Sequence, residues 1–272
     1  MPASVTPLRF RRLLLTGAAG HLGRELRARL KSYCDTLRLS HRSAMGEPGA
    51  GEEIVLADLA DAQAVHSMVE GVDAIVHMGG VSTEQAWAPI LAGNIVGMVN
   101  LYEAARKHGV KRIVFASSNH VTGFYRQDQV VSPRDPVRPD GFYGLSKAFG
   151  ENLAQLYWDR YALETVSLRI GSSYAAPKDR RMLASWMSFD DTERLIAAAL
   201  TAPVVGHTII YGMSDNATTW WDNTTARHIG YRPQDSSEAY RAEVEARQPL
   251  LDASDPAVIY QGGAFVRAKA PD

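Results

Sequence analysis

Tyr143 and Lys147 stand four residues apart in Tyr-Gly-Leu-Ser-Lys. That spacing puts both side chains on one face of a helix, about one turn from each other. A phenol with a pKa of about 10 is a poor base at neutral pH, but a neighbouring ammonium favours the phenolate. A tyrosine so placed can take a proton from an alcohol. Upstream, Ser117-Ser118-Asn119-His120 closes an apolar run, and Ser118 offers a hydroxyl to hold the oxygen that loses its proton. A third group names the co-reactant. Gly17, Gly20 and Gly23 follow the apolar run Leu13 to Leu15, and His21, Leu22 and the residues to Lys31 read as a helix with Leu22, Leu26 and Leu30 on one face. Strand, glycine turn and helix N-terminus together make an anion site for the diphosphate of a dinucleotide. The positive charge of an oxidised nicotinamide would then join Lys147 in favouring the phenolate of Tyr143.

Two further loops bring groups to the same sheet edge. Asp58-Leu59 follows the third strand-like run, where a carboxylate can accept from an adenine amino group or, on a plainer reading, cap a helix. His77-Met78-Gly79-Gly80 ends the fourth, with glycines that let backbone crowd a ligand. His77 itself reads as a satisfied buried histidine rather than a catalyst.

Positioning these groups requires parallel strands alternating with helices. Strand-like runs recur at Leu13–Leu15, Thr36–Leu39, Ile54–Ala57, Ala74–His77, Arg112–Ala116 and Thr165–Ile170, with helical stretches at Asp61–Glu70, Ile90–His108 and Tyr143–Tyr161. The segment from Ser43 to Glu53 reads as a loop. The alternation predicts an α/β fold, a doubly wound parallel sheet of Rossmann type with a small C-terminal substrate lobe. After Gly171 the rhythm loosens into a charged loop ending at Arg181, a helix at Asp191–Thr201, a strand at Thr208–Tyr211 and a surface helix at Ser236–Arg247. A boundary is set near residue 171: residues 1–171 form the dinucleotide domain and residues 172–272 the lobe, or both form one integrated domain.

The totals restrict the partners. The chain has 272 residues and a formal net charge of −1, with no basic run that would suit nucleic acid or a membrane surface. No apolar stretch approaches the roughly 20 residues that span a bilayer. Cys34 is the sole cysteine, so no intrachain disulfide forms and a reducing, cytoplasmic setting is expected. The first ten residues lack an apolar signal core and read as a short disordered leader. No metal site is expected.

The motifs together resemble the extended short-chain dehydrogenases, and within them the uronate dehydrogenases, from about Leu13 to Phe265. The pieces that carry the likeness are Thr-Gly-Ala-Ala-Gly-His-Leu-Gly at 16–23, Phe-Ala-Ser-Ser-Asn-His at 115–120, Tyr-Gly-Leu-Ser-Lys at 143–147 and Arg-Ile-Gly-Ser at 169–172. Arg-Met-Leu at 181–183, Trp-Trp-Asp-Asn at 220–223 and Tyr-Gln-Gly-Gly at 260–263 add to them. The resemblance implies that Tyr143 is the general base, that Lys147 binds the nicotinamide ribose and tunes Tyr143, and that Ser118 binds the reacting hydroxyl. It places Ser82, Asn119, His120 and Ser172 on sugar hydroxyls and Arg181 on a uronate carboxylate. It also places Met78, Asn94 and Ser173 with the cofactor, and implies a homo-oligomer paired through the helices after the fourth and fifth strands. Val121 and Phe124 stand where the family has Thr and Tyr.

One departure bears on the cofactor. Where the family ends its second strand with Asp, this chain has His41-Arg42-Ser43. An acidic residue there binds ribose hydroxyls and repels a 2′-phosphate, whereas a guanidinium and two further donors suit that phosphate. The sequence therefore favours NADP over NAD, with NAD or dual use as the alternative. The expected reaction is oxidation at C1 of galacturonate or glucuronate to an aldarolactone. The rivals are a neutral-aldose dehydrogenase of the arabinose or galactose type, a nucleotide-sugar epimerase, for which the lobe after residue 171 is short, and a non-catalytic dinucleotide sensor, against which the retained Tyr/Lys pair argues.

Overall fold

The computed structural model describes residues 9–250 and 252–268; most of the N-terminal leader read from the sequence lies outside them. The strands are β1 (Phe10–Thr16), β2 (Cys34–Ser40), β3 (Glu52–Ile54), β4 (Ala74–His77), β5 (Arg112–Ser118), β6 (Glu164–Ile170), the short pair β7 (Ser172–Ser173) and β8 (Trp186–Met187), and β9 (His207–Gly212). Seven of them form one parallel sheet in the order β3-β2-β1-β4-β5-β6-β9. The helices are α1 (His21–Arg29), α2 (Ala62–Val69), α3 (Trp87–Ile90), α4 (Gly97–His108), α5 (Phe142–Tyr161), α6 (Met182–Ser185), α7 (Phe189–Thr201), α8 (Arg241–Arg247) and α9 (Pro256–Ile259).

The continuous apolar run of β1 follows from burial on both faces. Leu13 and Leu15 enter a core shared with Leu26 and with Leu195 and Ile196, while Leu14 faces a second core with Val65, Leu101 and Tyr102. Strand order reverses at β1, between β2 and β4, and the crevice there is where open parallel sheets take a dinucleotide. The sheet and its first core run across residue 171, since β9 pairs with β6 and α7 packs on α1.

Three elements differ from the pattern read in the sequence. The third strand is Glu52–Ile54 rather than Ile54–Ala57, because its polar start is neutralised: Glu53 accepts from Arg12 (2.6 Å) and Arg38 (2.7 Å). Val55 and Ala57 add only single hydrogen bonds along the end of β2. The helix read as Ile90–His108 begins at Trp87 and carries a π turn over Leu91–Val96. The helix after β3, α2, is capped by Asp61, which accepts from the amides of Gln63 and Ala64, so Asp58 is not the cap. Cys34 is buried, donates to the Leu30 carbonyl, and burial pushes its thiol up to about 11, as suits a structural thiol. Among the described residues no helix is long and apolar enough to cross a membrane.

Candidate active site

The phosphate end of the site is built by β1 and the turn after it. Gly17 has φ +67°, and a Cβ there would lie 2.6 Å from the backbone carbonyl of Met78. Only glycine satisfies both limits. A Cβ at Gly23 would lie 2.1 Å from the Gly17 oxygen, so this glycine lets α1 pack against the turn. Gly20 precedes α1, whose first turn has no side-chain cap and no acidic residue, so His21 and Leu22 open a helix whose leading amides suit an anion. The His21 ring bonds the Ser173 carbonyl (3.0 Å) and packs on Tyr174 and Phe189, which ties the glycine turn to the C-terminal half.

Thr16 links this turn to the one after β4. Its hydroxyl pairs with His77 Nδ1 (2.7 Å) and accepts from the Gly79 amide (3.1 Å). Burial, with Lys147 nearby, pulls the His77 imidazole down to about 3, so it is neutral and occupied. Gly79 packs against Thr16 and Leu59, and Gly80, at φ +112°, against the Asn94 amide. Asn94, in the π turn, accepts from the Val81 amide (2.7 Å) and donates to the Val81 carbonyl (3.0 Å) and to Ser146 (2.9 Å). Its amide thus fastens the glycine loop to α5. Leu59 accepts from the Asn100 amide group on its carbonyl, and exposed Asp58 accepts from the Ala60 amide (2.9 Å).

At the end of β2, half-buried His41 sits beside exposed Arg42 and Ser43. Burial first, then the charges of Arg42 and Arg24, lowers the His41 pKa. Arg24 donates to the Ala19 carbonyl of the glycine turn (2.8 Å), and neither guanidinium joins an ion pair among the described residues.

The candidate reacting groups meet where β5 faces α5. Ser118 (4% exposed), Tyr143 (8%) and Lys147 (6%) are all buried, and the Ser118 hydroxyl bonds the Tyr143 phenol. Lys147 Nζ lies 5.6 Å from the Tyr143 ring centre and 5.1 Å from that of Phe115. Burial lowers Lys147 to about 8. It also raises Tyr143 to about 12, with the Ser118 bond opposing and Asp140 adding to the rise. Burial dominates at Tyr143, and the Lys147 ammonium with the positive charge of an oxidised nicotinamide would act against it. The N-terminus of α5 has no cap of its own; Glu84, from the loop after β4, accepts from the amides of Phe142 (3.0 Å) and Tyr143 (2.9 Å). Exposed Ser82 lies on that same loop.

Beyond Ser118 lies a polar pocket. Arg181 donates from Nε to the Gln261 carbonyl (2.7 Å) and from Nη1 to Ser172 (3.3 Å). With the Asn119 amide turned so that both its ends are satisfied, its oxygen accepts from Arg181 Nη2 (2.8 Å) and its nitrogen donates to the Ile170 carbonyl (3.0 Å). Ser172 also meets Ser185 (3.0 Å). Among the described residues Arg181 forms no ion pair, and burial lowers its pKa, with Asp179 and Asp140 opposing. His120 pairs through Nδ1 with Asp140 (2.7 Å), and Phe265 stacks on its ring at 3.8 Å. Val121 is fully buried, and Phe124 meets Tyr260 edge-on. Sequence reasoning missed Glu84, Asp140 and the stacking role of Phe265. An Asp-Gly pair just before Tyr143 was the visible signal for Asp140; the reach of Glu84 across 58 residues left none.

A family model described as the NAD dependent epimerase/dehydratase family matches residues 13–204. The chain is 60% identical over 266 residues to a uronate dehydrogenase of Pseudomonas putida, covering 97% of this chain and 98% of that one. A glucuronic acid dehydrogenase structure from Chromohalobacter salexigens superposes with a TM-score of 0.95 at 51% identity, covering 96% of this chain and 98% of that one. A variant of the Agrobacterium tumefaciens uronate dehydrogenase, solved in complex with NAD, gives a TM-score of 0.94 at 49% identity over 96% and 98% of the two chains. The chain belongs to the NAD dependent epimerase/dehydratase family.

Proposed function

We propose that this protein oxidises C1 of a hexuronic acid, galacturonate or glucuronate, to the aldarolactone with a nicotinamide dinucleotide as oxidant. One observation carries the substrate class: Arg181 is a desolvated guanidinium with no carboxylate partner among the described residues, set through Asn119 beside Ser118. A desolvated arginine fork without an anion is suited to recognise one, and a uronate brings its own carboxylate.

The cradle fits the dinucleotide, because the leading amides of α1 have no side-chain cap and its first turn no acidic residue. Gly17, Gly20, His21, Leu22 and Gly23 would hold the diphosphate, Asp58 and Leu59 the adenine side, and Met78, Gly79, Gly80, Asn94 and Ser173 the nicotinamide side. When bound, the oxidised nicotinamide supplies the hydride acceptor and a positive charge. Ser118 holds the C1 hydroxyl, and Tyr143 takes its proton while Lys147 steadies the phenolate and binds the ribose. Ser82, Asn119, His120 and Ser172 hold sugar hydroxyls, and Arg181 holds the carboxylate. The ring closes onto C1 already, so the product is a lactone and water takes no part. The test is to incubate the protein with either uronate and identify the products: reduced cofactor with a lactone supports the reading, and reduced cofactor with no lactone overturns that step.

NAD dependence follows the family; within it we infer that this chain also takes NADP, and prefers it. His41, Arg42, Ser43 and Arg24 present donors and positive charge at the end of β2, where no carboxylate stands to repel a 2′-phosphate. We also infer a homo-oligomer, because Trp87, Val96 and Val99 near α4 and Leu145, Leu156 and Tyr161 on α5 leave apolar surface exposed. Light scattering of the purified protein decides this, and a monomer at micromolar concentration overturns it. The substrate lobe of residues 172–272 and a cytoplasmic setting belong to the same reading.

A further inference from the structure

We propose that Asp140 is a positioning residue that fixes the tautomer and orientation of His120, making its Nε2 an obligatory acceptor for a sugar hydroxyl between the reacting carbon and the carboxylate. The inference rests on the uronate reading above and adds a residue to it. Asp140 is buried (6% exposed, with a side chain at 0%), and Oδ2 lies 2.7 Å from His120 Nδ1. A carboxylate only accepts, so Nδ1 carries the proton and Nε2 presents a lone pair. Nε2 makes no hydrogen bond among the described residues, and the ring is not sealed into the core, since its side chain keeps 11% of its surface. The ring stands edge-on to Tyr143 (5.8 Å between centres), under Phe265, and within the field of Arg181. A substrate that spans Tyr143 and Arg181 therefore passes Nε2.

Two observations show that the fold makes room for this carboxylate at some cost. Oδ1 of Asp140 is buried without a hydrogen-bond partner among the described residues. An orphaned carboxylate oxygen is unfavourable, and a residue kept only for packing would avoid it. Moreover, a Cβ at Gly123 would lie 1.9 Å from Oδ2, and one at Gly262 would lie 2.0 Å from it. Neither glycine is demanded by backbone conformation, with φ −62° at Gly123 and −65° at Gly262. Gly144 answers a different neighbour, since a Cβ there would lie 2.4 Å from the His120 carbonyl oxygen. Two segments thus give up side chains around one carboxylate whose only side-chain hydrogen-bond partner among the described residues is His120.

A double-mutant cycle separates positioning from mere structure. Asp140→Asn removes the charge and offers an amide that can pair with either tautomer. It should raise KM for the uronate by about tenfold, the scale of one lost hydrogen bond, with kcat changed less than about threefold and cofactor affinity unchanged. In a His120→Ala background the same substitution should change KM by less than about twofold, because its effect passes through the ring. Losses that multiply, or an unmoved KM, overturn the proposal. The His120 tautomer in the substrate-free wild type, read from ring nitrogen shifts in labelled protein, decides the matter even where Asp140→Asn fails to fold. A protonated Nδ1 supports the proposal and a protonated Nε2 overturns it. A wild type inactive on both uronates would instead sink the functional reading and leave this nitrogen measurement standing.

Discussion

Truncating Arg181 to alanine should damage uronate oxidation selectively. The guanidinium has three neutral partners, the Gln261 carbonyl, Ser172 and Asn119, and no carboxylate among the described residues. Its electrostatic capacity is therefore unspent until substrate arrives. Two opposite charges about 4 Å apart interact by about 4 kcal/mol at an effective dielectric of about 20, and a hydrogen bond to a charged group is worth roughly 1.5–3 kcal/mol net. A loss of about 3–4 kcal/mol corresponds to a fall of about 10²–10³-fold in kcat/KM for either uronate. Arg181→Ala also releases the Gln261 carbonyl and leaves a gap beside the Trp220 ring, 6.0 Å from the guanidinium. That disturbance is shared by any sugar in the pocket, and a loss of about tenfold or less is expected for the corresponding neutral aldoses. The assay is kcat/KM for galacturonate and galactose in wild type and variant, with initial rates read from reduced-cofactor absorbance. The ratio of the two substrates isolates the carboxylate term. Equal losses on both would make Arg181 a structural residue and refute the reasoning.

Further outcomes follow from the same geometry. Tyr143→Phe removes one hydroxyl from a buried ring and should cut kcat by about 10²–10⁴-fold while cofactor titration is unchanged; near wild-type turnover would dismiss it as the base. His41→Asp restores a carboxylate at the end of β2 and should move the ratio of kcat/KM for NAD over NADP upward by about tenfold or more, roughly 1.4 kcal/mol. A wild type strictly specific for NAD and indifferent to the change would refute the phosphate site. His77 binds its proton near 6.5 when unfolded and only at about 3 when folded, so the unfolded chain holds the extra proton between those values. Stability should fall as pH drops from 6.5 toward 3, and urea unfolding of His77→Gln should show a shallower slope there; matching slopes would contradict the assignment.

What the sequence displayed was whatever depends on neighbours along the chain. Gly17, Gly20 and Gly23 are legible because a strand, a tight turn and a helix N-terminus are contiguous, and Tyr143 and Lys147 because one helical turn sets their separation. Leu13 to Leu15 announced a strand buried on both faces. Features made by distant groups stayed hidden. Glu53 looks like loop until Arg12 and Arg38 arrive to neutralise it. The π turn that seats Asn94 leaves no mark on hydrophobic spacing. Helix spacing reports the ammonium one turn from Tyr143 but not the desolvation that raises its phenol in the folded protein. The Asp140 carboxylate, too, acquires meaning only when two glycines from separate segments converge on it.

The central claim is that a carboxylate on the sugar is what this pocket selects. Galacturonate and galactose differ at C6 alone, so kcat/KM for the two, measured on the wild-type protein with its better cofactor, tests it most directly. The account predicts a preference for galacturonate of about 10² or more, the value of an arginine–carboxylate contact made on binding. Rates within about tenfold of each other, or a preference for galactose, would contradict it.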